Sequence, residues 1–131
     1  MKLRVLSIIL MSMTAAAFAF GQGEVDYTDP AKLAELIAGK GVPYILVDVR
    51  TPVEYASGHI PTAVNIPNTE IAARPPTDDT SALIIVSCRS GARSASAKQT
   101  LEKLGYSNVV DFGSVSKWRE GLVEGDAPTA Q

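Results

Sequence analysis

The chain has 131 residues, a length that one domain of ordinary size accounts for. Its 12 basic and 14 acidic residues give a net charge of −2, without the surplus of base that a nucleic-acid-binding face needs. The single cysteine excludes an intramolecular disulfide. One cysteine with one histidine also falls short of the usual zinc ligand count, so no zinc site is expected.

Lys2 and Arg4 precede an apolar run from Val5 to about Met13, followed by small residues through Gly21. This layout predicts a secretory signal peptide over residues 1–21, cleaved after Ala19 or Gly21, and hence a periplasmic or secreted protein. The run is shorter than the ~20 apolar residues of a membrane span. With Lys2 and Arg4 removed, ten basic residues face fourteen acidic ones. The mature protein is expected to be a monomer free of the membrane.

Residues 22–124 form the expected domain. Asp29-Pro30 is a helix start, and Leu33, Leu36 and Ile37 recur at helical spacing until Gly39 and Gly41. Tyr44 to Val47 is a short apolar strand closed by Asp48. Thr51-Pro52-Val53-Glu54 is a capping box that opens a short helix ending at Gly58. Ala63 to Ile66 predicts a brief strand, and Pro67 to Thr80 a polar connection with a turn of helix near Glu70. Ala82 to Val86 is the strongest strand signal. A helix is expected from Ser94, with Ala97, Leu101 and Leu104 inward and Gly105 as its stop. Asn108 to Asp111 reads as a strand, Ser116 to Gly121 as a last helix carrying Trp118, and residues 125–131 as a flexible tail. Strands alternating with helices predict an α/β fold, an open parallel sheet of about five strands with helices on both faces.

Cys88 stands just past the end of the buried strand and before a helix, the edge at which open α/β sheets bind ligands. Ser90, Gly91 and Ala92 permit a tight loop whose N–H groups form an anion nest. The helix N-terminus, Arg89 and Arg93 add positive character. Cysteines in such settings ionise at roughly 3.5–7.5 instead of about 8.5. The thiol is therefore expected to be ionised and reachable, the other reading being a buried structural cysteine.

These residues carry a family resemblance. Asp48-Val49-Arg50, the stretch Glu54 to Pro67 with Gly58-His59-Ile60-Pro61, the loop Cys88-Arg89-Ser90-Gly91-Ala92-Arg93-Ser94, and Gly113 with Trp118 together resemble the single-domain rhodaneses. Thr62 stands where that family usually has glycine, and Gly113 where it often has a pair. The resemblance implies a sulfurtransferase in which Cys88 becomes a persulfide, taking sulfur from a small anionic donor, thiosulfate, or from a persulfide donor and passing it to a thiol or cyanide acceptor, with no metal or organic cofactor. It also implies that Arg89, Ser90, Gly91, Ala92 and Arg93 hold the donor and that Asp48, Arg50, Glu54, His59 and Trp118 support the site, His59 structurally and not as a base. Two other readings stand beside it. A non-enzymatic persulfide carrier would use the same loop. A cysteine phosphatase or arsenate reductase would use a related one, but its spacing is Cys-x5-Arg and the spacing here is Cys-x4-Arg.

Overall fold

The structure is a computed structural model that describes residues 23–128. The expected signal peptide lies outside the described residues, as do the last three residues of the expected tail.

Local chemistry starts both early helices. Asp29 accepts from the Ala31 N–H at 2.9 Å and Pro30 occupies the first turn, so α1 spans Pro30–Ile37 and buries Leu33, Leu36 and Ile37. Helix α2, Pro52–Ser57, is opened by the full capping box between Thr51 and Glu54. Strands β1 (Ile45–Asp48), β2 (Val64–Asn65), β3 (Ile84–Cys88) and β4 (Val109–Ser114) pair in parallel in the order β2-β1-β3-β4. Helix α3, Ala92–Lys103, joins β3 to β4. Alternate strand residues feed two cores. Leu46, Ile85 and Phe112 pack with α1, Tyr55 of α2 and Trp118, whereas Val47, Ile84, Val86 and Cys88 pack with Ala97 and Leu101 of α3. The helices after β1 and β3 therefore cover opposite faces. Their loops diverge at the carboxyl ends of the two central strands, which is the switch-point crevice of an open sheet.

The open parallel sheet with helices on both faces is as expected, with four strands among the described residues against about five, while several details change. Outside the named strands, His59 just after α2 makes an isolated antiparallel bridge to Val123, and Gly125 N–H donates to Ala56 O at 2.9 Å. Strand β3 runs through Cys88, which pairs with Ser114, so the cysteine ends the strand instead of following it. Helix α3 starts two residues early, at Ala92, because Gly91 takes a left-handed conformation (φ 97°) and turns the chain at once. The expected final helix is one 3-10 turn, Val115–Lys117; Trp118 is extended and its indole N–H donates to Gly121 O at 2.8 Å.

Leu104 was expected inward and is 46% exposed. The helix ends in a Schellman turn, with Tyr106 N–H on Leu101 O and Gly105 N–H on Glu102 O. Gly105 (φ 98°) reverses the chain, and Tyr106 fills the core beside Leu101. Ile71, in the polar connection, is fully buried in the same core and anchors a loop that composition marked only as surface. Thr62 has φ 71°, the conformation glycine would supply, at a cost of roughly 1–2 kcal/mol for a residue with a side chain. Its hydroxyl is paired with Tyr44 at 2.9 Å.

The two leucines of α3 test this packing. Leu101→Ala should lower the unfolding free energy by about 2–5 kcal/mol in urea titration, whereas Leu104→Ala should cost less than about 1 kcal/mol.

Candidate active site

The loop after β3 closes on its own cysteine. Gly91 N–H donates to Cys88 Sγ at 2.9 Å, and the thiol donates to Ser94 Oγ at 3.3 Å. Ser94 Oγ in turn lies 3.1 Å from Gly91 O, to which its hydroxyl donates. The nest expected to receive an external anion thus wraps the sulfur itself. Burial pushes the Cys88 thiol up, but the Ser94 side chain and the backbone N–H groups of Ser94, Gly91 and Ser90 outweigh it and bring the thiol below its ordinary value. An inert core cysteine has no such ring of donors.

Access differs from the expectation. Cys88 is 0% exposed, so the thiol is not open to solvent in this conformation. The tight turn that aims the amides at the sulfur also covers it. Arg89, Ser90 and Ala92 are exposed above it and Gly91 is half-buried. A surface cleft of about 400 Å³ lies along β4, lined by residues 24–28, 107–111 and Lys98, and contains none of the expected site residues.

Arg93 does not point at the sulfur as a free cation. In the first turn of α3 it makes a two-pronged ion pair with Glu54 of α2, at 2.7 and 2.9 Å. Hydrogen bonding from Arg93 holds the Glu54 carboxyl down to about 2, with Thr51 assisting against partial burial. Glu54 reciprocally holds the Arg93 guanidinium above its usual range. Cys88 and Asp48 act on that guanidinium only through longer-range charge.

Beneath the loop, Asp48 and Arg50 form a buried pair with contacts of 2.6 to 3.0 Å, and Arg50 Nη2 also donates to Gly58 O at 2.6 Å. Arg50 therefore ties β1 to the end of α2. His59 is fully buried and stacked on Tyr55, with ring centroids 3.7 Å apart. Its Nδ1 donates to Tyr55 O at 2.9 Å. Trp118 packs in the core on the α1 side of the sheet. The structure thus brings together Cys88, Ser90 and Gly91 at the sulfur, and Glu54 with Arg93 beside it. Arg89 stands on the outer rim, and Asp48, Arg50, His59 and Trp118 lie behind.

Two residues were missed as site members. Ser94 was read as a helix start and as the last residue of the resembling loop, with no role given to its side chain, although its hydroxyl touches the sulfur. Ser114 donates to Arg89 O and pins the outer loop. A bulge at Phe112 and Gly113 shifts the β3–β4 register and sets Ser114 beside Cys88. The Cys-x5-Ser spacing was a usable signal for Ser94; nothing local marked Ser114.

Residues 29–120 match the family described as the Rhodanese-like domain. A sulfurtransferase of Allochromatium vinosum is 40% identical over 80 residues, covering 60% of this chain and 75% of that protein. The thiosulfate sulfurtransferase PspE of Escherichia coli is 35% identical over 71 residues, covering 53% of this chain and 68% of that one. Among solved structures, a rhodanese with anions from E. coli aligns with a TM-score of 0.56 at 31% identity, covering 63% of this chain and 100% of the other. A rhodanese-like domain protein from Staphylococcus aureus aligns with a TM-score of 0.62 at 32% identity, covering 72% and 93%.

The Glu54 geometry generates a pH prediction. A carboxyl depressed from 4.5 to about 2 adds stability that is complete above pH 4.5 and lost as pH falls toward 2. In Glu54→Gln the capping box is kept and the ion pair is lost. The stability gap between wild type and this variant, followed by urea titration, should be constant above about pH 5 and close by about pH 2.

Proposed function

The chain belongs to the rhodanese-like domain family, and on that premise we propose that it is a sulfurtransferase whose Cys88 carries the transferred sulfur. The observation that supports this best is the Gly91 N–H on Cys88 Sγ at 2.9 Å, with the Ser90 and Ser94 amides beside it, at the end of a central strand. Such donors favour the thiolate, which is the nucleophile.

With thiosulfate as donor, the Cys88 thiolate attacks the outer sulfur. The bond from Sγ to that sulfur forms, the S–S bond of thiosulfate breaks, and sulfite leaves with the electron pair. The anionic persulfide then faces the same amides, which serve as preorganised donors for its charge. A thiolate or cyanide attacks the outer sulfur, and the Sγ–S bond breaks with its pair returning to Cys88. The reaction needs no metal and no organic cofactor. The acceptor meets the sulfur once the exposed Arg89–Ser90 segment swings outward, and Arg89 on that rim offers charge to the incoming anion.

The complete burial of Cys88 favours one second reading, a persulfide carrier that opens only against a dedicated partner. Multiple turnover with a small acceptor supports the enzyme, and a single discharge per chain supports the carrier.

Two measurements test these readings. After incubation with thiosulfate, the intact protein should gain one sulfur, about 32 Da. Cys88→Ser should keep its circular dichroism, gain nothing and lose transfer by about a thousandfold or more; a variant that still transfers sulfur overturns the assignment. We also propose export as a monomer. Amino-terminal sequencing of protein secreted from its host should begin at Phe20 or Gln22, and a chain that begins at Met1 counts against it.

A further inference from the structure

Ser94 is a fully buried hydroxyl in the first turn of α3, with two partners and one proton to donate. Its Oγ lies 3.3 Å from Cys88 Sγ and 3.1 Å from Gly91 O. A backbone carbonyl only accepts, so with a neutral cysteine the chain of donation runs from S–H to Ser94 Oγ and from Ser94 O–H to Gly91 O. When Cys88 loses its proton, this arrangement leaves the sulfur anion facing lone pairs. Rotation of the Ser94 O–H about its C–O bond restores a donor to the sulfur without moving a heavy atom.

We propose that Ser94 is a two-way hydroxyl switch that stabilises the Cys88 thiolate as the leaving group of sulfur discharge. The inference rests on the persulfide reading and deepens it. In the persulfide the negative charge sits on the outer sulfur, Sγ is a neutral bridging atom, and the Ser94 proton returns to Gly91 O. During discharge an acceptor thiolate or cyanide forms a bond to the outer sulfur. The Sγ–S bond breaks, its electron pair collects on Sγ, and the Ser94 hydroxyl turns to meet it. Ser94 thus favours the discharged enzyme over the loaded one. It speeds release of sulfur without making the thiolate a better attacking group, because a stabilised anion is a weaker nucleophile. Among the described residues the charged groups near the loop are Arg89, exposed on the outer rim, the Arg93–Glu54 pair across α3 and α2, and the Asp48–Arg50 pair of β1. The direction in which hydrogen bonding moves the Cys88 thiol agrees with this role.

The test separates the two half-reactions in Ser94→Ala. Alanine is smaller and a better helix former, and circular dichroism checks the fold. The rate of iodoacetamide alkylation against pH should shift its midpoint to higher pH. Protein loaded with thiosulfate should release sulfur to cyanide about tenfold more slowly in single turnover, as expected for loss of a hydrogen bond to a charged group. Loading, measured above the shifted midpoint, should be no slower than in wild type. Ser94→Thr, which keeps the hydroxyl, should restore both the midpoint and the discharge rate. A general packing role would slow loading and discharge together, and that result overturns the proposal, as does an unchanged alkylation midpoint. If wild-type protein takes up no sulfur, the transferase reading fails, while the alkylation midpoint still decides the role of Ser94.

Discussion

The site depends on one backbone conformation, the left-handed turn at Gly91. With φ at 97° the chain leaves β3 and enters α3 within three residues, and its own N–H falls on the sulfur of the last strand residue. A residue with a side chain would resist this conformation at roughly 1–2 kcal/mol. The space beside Gly91 is open, so the requirement is one of dihedral angle and not of crowding. A looser turn would start the helix later and leave the cysteine an ordinary core residue, its thiol raised by burial with nothing to oppose it.

Two charged clasps hold the loops on either side of that turn. Asp48 and Arg50 are buried together, and Arg50 reaches Gly58 O, so the end of β1 and the end of α2 move as one. Removing either partner would strand a charge in the core, and so the pair fixes geometry more than it adds stability. Glu54 and Arg93 bridge α2 and α3 across the switch point, near the surface. Because they neutralise one another, the field at the sulfur comes mainly from hydrogen bonds and less from net charge.

Burial and activation come from the same contacts. Each donor that favours the thiolate also excludes water from it, and the result is a sulfur that is chemically primed but covered. The outer loop, Arg89 and Ser90, is exposed, and Ser114 donates to Arg89 O. The bulge in β4 that delivers Ser114 links the edge strand to the loop over Cys88.

Much of this was legible in the residues. Asp29-Pro30 and the Thr51 capping box defined two helix starts because capping is a local contest between a side chain and free N–H groups. The apolar runs around Leu46 and Ile85 marked buried parallel strands, and the loop from Cys88 to Arg93 marked the candidate site, since the turn residues and the cysteine lie within six residues. What the tertiary structure alone decided were relations between distant segments. They include the partner that Glu54 offers Arg93, the seat of Ile71 in the core, the eviction of Leu104 by Tyr106, and the approach of Ser114 to the loop. Each depends on which elements pack together in space, and a linear pattern holds no such information. The burial of Cys88 belongs with these, because exposure is a property of everything that surrounds an atom and not of its place in the chain.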